Sequence, residues 1–278
     1  MSDDHLYLSL AEASPEGDAR WAFGTGFEDP LHGIDTALPP GVDPGELAER
    51  CLALGDDALV AAQRLAEWCT RAPELEEEVA LANIGLDLLG QARLLLSRAG
   101  QAEGAGRGED ALAYFRGPQE FRNVRLTELP NGDFAECIAR LLLFSTWRLA
   151  AFRALTAHPD PVLSAIATKG VSELAYHRDH AAQWAVRLGD GTETSHLRLR
   201  RALDEVWPYL DELLAAEGPA VRAEVEQTLR QVLDAATVPL PEVPALPGSG
   251  RAGEHTPHLA PLLDELQSVA RADPEATW

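Results

Sequence analysis

The side chains best suited to chemistry gather in one stretch of this sequence: Glu173, Tyr176, His177, Asp179 and His180. Carboxylates and imidazoles within two helical turns are the usual ligands of transition metals. A metal pair held between four helices commonly takes one Glu from each of two helices and a Glu-x-x-His from each of the other two. The spacing matters because i, i+3 puts both ligands on one helix face. Glu173 and His177 are spaced i, i+4 instead. Asp87 has Gly90 three positions on, and no His occurs between Pro73 and Gly100. No Asp or Glu lies between Glu136 and Asp160, so no carboxylate can point inward from the middle of that segment. An ordinary di-iron centre cannot be assembled from these residues.

His177 is then best read as a hydrogen-bonded core histidine, with Gln91 or Glu173 as its partner. Leu88 and Leu174 read as packing, at roughly 1.5–3 kcal/mol for each buried side chain. His255 and His258 are spaced i, i+3, but no Cys or carboxylate pair stands near them in sequence to complete a metal site. The better reading is that His255-Thr256 caps a last helix, with Pro257 in its first turn. The run Glu74 to Glu78 reads as a solvated helix start. Gly100 to Gly108 has no Walker or Rossmann spacing and reads as a flexible loop. Trp68, Trp147, Trp184 and Trp207 read as core or interface aromatics.

The elements that carry these residues are helical throughout. Residues 1–43 form an irregular arm rich in Gly, Pro and acids, with a short helix near Leu6 to Ala13, and Trp21, Phe23 and Phe27 suit docking on something. A first helix is expected from Pro44 to Thr70, broken at Gly55, where Asp56 offers a new cap. The second runs from Pro73 to Gly100, with Glu74 to Glu78 at the positive end of the dipole. Short helical pieces at Glu109 to Phe115 and Pro118 to Val124 lead to the turn Pro130-Asn131-Gly132-Asp133. Long helices then span Phe134 to Ala157 and Pro161 to Leu188. Further helices are expected at Ser195 to Ala216, kinked at Pro208, at Pro219 to Ala236, and at Pro257 to Arg271 beyond a Pro-rich loop. No β alternation competes. The fold class is all-α: a ferritin-like four-helix bundle with additional C-terminal helices, residues 44–278 forming one domain. The long connection between the second and third long helices favours a crossover topology.

Of 278 residues, 46% are hydrophobic and 24% charged. That balance describes a folded globular chain. The formal net charge of −22 excludes nucleic-acid binding, which needs a positive surface, and is compatible with a basic partner. Cys51, Cys69 and Cys137 form no CxxC pair and no disulfide framework. Neither a signal peptide nor a membrane span is expected, Leu141 to Leu149 being too short, so a soluble cytoplasmic protein is anticipated.

Several stretches are specific: Leu54-Gly55-Asp56-Asp57-Ala58-Leu59, Arg64-Leu65-Ala66-Glu67-Trp68-Cys69, Ala72-Pro73-Glu74-Leu75-Glu76 and the long run from Ala80 to Arg93. Pro130-Asn131-Gly132-Asp133-Phe134-Ala135, Tyr176-His177, His255-Thr256-Pro257-His258-Leu259 and the terminal Trp278 continue the pattern. In these, covering residue 54 to the end, the chain resembles the C subunits of bacterial phenylacetyl-CoA 1,2-epoxidase. The resemblance implies a structural subunit without catalytic residues. Its partner would be a catalytic A subunit with a di-iron centre, fed by a reductase that uses NADPH, flavin and iron-sulfur. The A subunit is a paralogue with Asp-Glu-Ala-Gly-His in its second helix, where this chain has Asp87-Leu88-Leu89-Gly90-Gln91. By the same alignment its Glu-x-x-His falls on Leu174 and His177, and its first-helix Glu on Ala58. The positions of a lost di-iron site are therefore Ala58, Leu88, Gln91, Leu174 and His177, and no cofactor is expected in this chain. A hetero-oligomer is implied, with self-association left open. The alternatives are an independent metalloenzyme using His177 and Glu173, and a helical interaction protein of another pathway.

Overall fold

The computed structural model describes residues 31–276, and a compact unit begins at Ile34. The short helix anticipated near Leu6, and Trp21, Phe23 and Phe27, lie outside the described residues. In chain order the helices are α1 (Pro44–Ala66), α2 (Leu75–Glu103), α3 (Glu109–Tyr114), α4 (Phe134–Leu155), α5 (Pro161–Gly189), α6 (Glu193–Val206), α7 (Leu210–Leu214), α8 (Pro219–Ala235) and α9 (Leu259–Ala272). No strand occurs among the described residues, and the class is all-α in a ferritin-like arrangement. α1 lies along α2 and α4 along α5, α2 faces α5, and α6 and α8 pack across α4 and α5.

Local chemistry sets most boundaries. Asp43 caps α1 by accepting from the Glu46 amide at 2.9 Å, with Pro44 at the first helical position. Asp133 and Glu136 form a reciprocal capping box at the start of α4, at 3.1 and 3.2 Å. Asp160 caps α5 through the Leu163 amide at 2.8 Å.

Four expectations need correction. α1 is not broken at Gly55 and ends at Ala66. A Cβ at Gly55 would stand 2.9 Å from Leu96 Cδ2, so this glycine lets α1 and α2 approach and does not interrupt the helix. α2 starts at Leu75, after Pro73, and passes Gly100 to end at Gly104, which takes a left-handed φ of 72°. Gly100 is there because a Cβ would lie 2.0 Å from the Arg107 carbonyl oxygen of the returning loop. Pro208 interrupts its helix outright: α6 ends at Val206, a 3-10 turn covers Trp207–Tyr209, and α7 follows. α9 begins at Leu259, not Pro257, and its N-cap position, His258, makes no side-chain cap bond.

The long connection from α2 to α4 is anchored by buried charges on α1. Asp56 pairs with Arg116, whose Nη1 donates to it at 3.0 Å, and accepts the Arg122 amide at 2.8 Å. Asp57 accepts the Val124 amide at 2.8 Å and pairs with Arg251 at 2.7 Å, which ties the C-terminal segment to the same point. His255 meets Glu128 at 2.6 Å, and Glu128 also accepts the Thr256 amide at 2.7 Å. His255 thus locks the C-terminal segment onto the crossover and does not cap α9.

Arg98 of α2 and Asp160 at the head of α5 form a pair of which neither side chain is more than 1% exposed. Removing one partner strands the other charge in the core. Asp160→Ala is expected to lower unfolding stability by about 3–5 kcal/mol, read by denaturant titration against the native chain.

Candidate functional site

The centre of the bundle is where α1, α2, α4 and α5 bring the sequence-derived positions together. Ala58, Leu88 and Leu174 are fully buried at 0% exposure, Gln91 is at 3% and His177 at 1%. On α2 and α5, two polar bridges bracket Leu88 and Leu174. Gln91 Nε2 donates to Glu173 Oε2 at 2.9 Å, and His177 Nε2 bonds to Asp87 Oδ2 at 2.9 Å. Sequence reasoning points to Gln91 or Glu173 as the partner of His177. The observed partner is Asp87, and Gln91 is held instead by Arg148 and Glu173.

The other end of Gln91 meets the residue that sequence reasoning missed. Arg148 of α4 is fully buried, and its Nε donates to Gln91 Oε1 at 3.0 Å while Nη1 donates to the Leu54 carbonyl of α1 at 3.2 Å. Its guanidinium lies 4.4 Å from the Phe152 ring centroid, a cation–π stack. A Cβ at Gly170 of α5 would sit 2.7 Å from that ring, so a glycine is what leaves room for it. One hydrogen-bonded chain therefore crosses all four helices: Leu54, Arg148, Gln91, Glu173. Lys169 closes it at the surface, 3.5 Å from Glu173. Burial pulls the Arg148 guanidinium down to about 10, which still leaves it cationic at neutral pH.

A signal for Arg148 exists in the sequence. α4 is buried on nearly every side along its middle, and a helix apolar all round must bury a charge carried there. Arg140 and Arg148 are the charges in its middle and both are buried, while Arg153 in its last turn reaches the surface.

This donor set does not fit a di-iron centre. Three of the five positions are hydrocarbon, Gln91 is a neutral amide bonded at both ends, and the carboxylates at hand, Glu173 and Asp87, share the site with a guanidinium and are turned to other partners. Glu173 and His177 do not converge on a common point either, since one turns to Gln91 and the other to Asp87. Among the described residues no group of three or more His, Cys, Asp or Glu is placed to hold a metal ion.

A second candidate is an open cleft of about 1210 Å³ between α1, the end of α4 and the α7 region. Its floor includes Trp147 and Leu155, and its rim carries Arg50 and Arg122 among Asp43, Glu46 and Glu49. At its edge Trp147 Nε1 donates to Glu217 Oε1 at 3.1 Å. Charges of both signs line it, and no group in it points to a particular ligand.

Similarity now adds to geometry. A family model described as phenylacetic acid catabolic protein matches residues 37–278, and the chain belongs to that family. A curated relative from Escherichia coli (strain K12), named as the C subunit of 1,2-phenylacetyl-CoA epoxidase, is 42% identical over 247 residues, covering 84% of this chain and 99% of the relative.

Two outcomes follow from these contacts. Arg148→Met should destabilise the fold by about 1–3 kcal/mol by leaving the buried Gln91 Oε1 without its donor. Adding Gln91→Leu should restore part of that loss, a coupling that a double-mutant cycle in denaturant measures. Burial raises the Glu217 carboxyl from its ordinary 4.5, with the Trp147 hydrogen bond opposing. A raised acid stabilises the fold below its unfolded value and loses that contribution as pH rises through the folded value. Glu217→Gln should therefore flatten the fall in melting temperature between pH 4.5 and neutrality.

Proposed function

We propose that this member of the phenylacetic acid catabolic protein family is a non-catalytic subunit of a multicomponent phenylacetyl-CoA epoxidase. On this reading the di-iron centre and oxygen activation belong to a catalytic A subunit, and this chain supplies a rigid bundle for it to pair with.

The observation that carries the proposal is the Arg148 guanidinium at the bundle centre, hydrogen-bonded to Gln91. Iron needs several carboxylates to offset its charge, and here the corresponding positions are Ala58, Leu88 and Leu174. A fixed cation compounds the deficit. Two like unit charges about 4 Å apart repel by about 4 kcal/mol at an effective dielectric of about 20, and a divalent ion doubles that. The core is instead closed as protein: hydrocarbon against hydrocarbon, with each of the polar groups Gln91, Glu173, His177 and Asp87 given a partner. The relative's name supports the assembly, since it designates one subunit of an enzyme.

The rival reading, an independent metalloenzyme built on His177 and Glu173, needs those groups to turn toward one ion. Each has a different partner. The third reading, a helical interaction protein of another pathway, is tested by co-expression with the catalytic subunit: failure of the two chains to form a stable complex would remove the pairing proposed here.

Metal quantification of the purified chain decides between scaffold and metalloenzyme. Iron is expected well below one atom per chain, both in the native chain and in the triple variant Leu88→Glu, Gln91→His, Leu174→Glu, because Arg148 remains to pair with the new carboxylates. Two tightly bound irons in the native chain would overturn the proposal.

A further inference from the structure

The first two turns of α2 are weakly secured. α1, α4 and α5 each start under a side-chain cap, Asp43, Asp133 and Asp160, whereas Glu74 at the head of α2 makes no cap bond. The first buried residue of α2 is Leu81, and Leu75 and Val79 before it are exposed by 71% and 51%. In the loop that leads into the helix, Thr70 takes a left-handed φ of 71°. A β-branched residue holds that conformation only under strain, and strain persists only where the surroundings enforce it. Pro73 and Glu74 line a cavity of about 310 Å³ together with Phe134, Trp184 and Leu188.

At this level α2 meets α5 through Glu77 and His180. Glu77 Oε2 and His180 Nε2 stand 3.4 Å apart, both atoms are sealed from water, and neither makes a hydrogen bond. Further along the same two helices, His177 with Asp87 and Gln91 with Glu173 are formed bonds at 2.9 Å. The contact nearest the strained loop is the one left short of a bond.

We propose that residues 67–80 form a flap, hinged at Thr70 and caught by Glu77 against His180, which opens as the pH falls below neutrality. Opening carries Pro73 and Glu74 away from the cavity and uncovers Trp184.

The direction follows from the surroundings of His180. The charged groups that act on it are Glu77 from α2 and His177 and Arg187 from α5 itself. The Tyr176 ring centroid lies 6.2 Å from its own. Among the described residues no hydrogen bond or ion pair reaches it from α4, α6 or α8. Burial, helped by His177 and Arg187, outweighs the pull of Glu77 and holds the imidazole below its ordinary 6.5. Lifting the first turns of α2 hydrates the ring and returns it toward that value. The open form therefore binds the proton more tightly. Closure is fully favoured above 6.5 and weakens as pH falls through it.

Hydrogen exchange of the full chain, corrected for the intrinsic pH dependence of amide exchange, tests the flap. Opening of residues 67–80 should increase several-fold from pH 7.5 to pH 5.5, toward a limit of about tenfold for one proton bound only in the open form. The middle of α4 should keep its protection over the same range. His180→Gln retains a polar side chain that cannot titrate, so it should abolish the increase. Glu77→Gln removes the attraction and should raise opening at both pH values while the increase remains.

Equal protection of residues 67–80 at both pH values overturns the proposal. Greater protection at pH 5.5 does so too, since it would mean that an imidazolium closes the catch on Glu77. An increase that survives His180→Gln belongs to another group, and one shared by α4 is global unfolding; either result overturns the flap. Magnetic resonance of the histidine-labelled native chain reads the ring with no substitution. His180 should titrate below 6.5, and a midpoint above it removes the basis of the device.

Discussion

A guanidinium sealed inside a helical bundle dictates where its neighbours must be. Arg148 is out of contact with water, and an ion in that position costs several kcal/mol unless its donors and its charge are met. α1 meets it with the Leu54 carbonyl, α2 with Gln91, and α4 itself with the Phe152 ring, while its Nη2 has no hydrogen-bond partner. α5 contributes by absence, through the hydrogen of Gly170 that lets Phe152 lie flat against it. Shift any of the four helices by one turn and one of these contacts is lost. The same chain of groups fixes the plane of the Gln91 amide, whose oxygen accepts from Arg148 and whose nitrogen donates to Glu173, while His177 bonds to Asp87.

The net negative charge of the chain obscures how much of its positive charge is structural. Arg98, Arg116, Arg125, Arg140 and Arg148 are all buried, and the first three hold the acids Asp160, Asp56 and Glu212. Surface pairs such as Arg153 with Glu224 contribute little by comparison, because water screens them and long side chains lose freedom to make them. The buried pairs act on topology. Asp56 and Asp57, adjacent on α1, hold the crossover and the C-terminal segment at one end of the bundle, and Arg125 adds the carbonyls of Pro247 and Gly248. An irregular connection is thereby fixed as firmly as a helix.

Periodicity and punctuation made the helices readable from sequence. Asp43-Pro44, Asp133 with Glu136, and Asp160-Pro161 mark three starts by local chemistry alone. Glycine misled, because it has two uses. Gly55 and Gly100 permit close approach inside or beside a helix, and only contacts with Leu96 and Arg107, brought in by the fold, distinguish that from a break. At the bundle centre, the absent carboxylates were legible as missing letters. Arg148 was visible as a letter but not as a partner, since its hydrogen bonds span 57 and 94 positions of chain. His255 was misplaced for the same reason: it lies two residues from Pro257, yet its anchor Glu128 is 127 positions away.

A metal in a four-helix bundle does two jobs, chemistry and cross-linking, and only the second has to be replaced when the first is abandoned. Hydrocarbon at positions 88 and 174 fills volume but carries no direction, so packing alone would leave the helices free to slide. The directional bonds come from Arg148, Gln91 and Glu173, with His177 and Asp87 adding a second rung between α2 and α5. Both rungs tie α2 to α5, so the register of those two helices is held by protein groups.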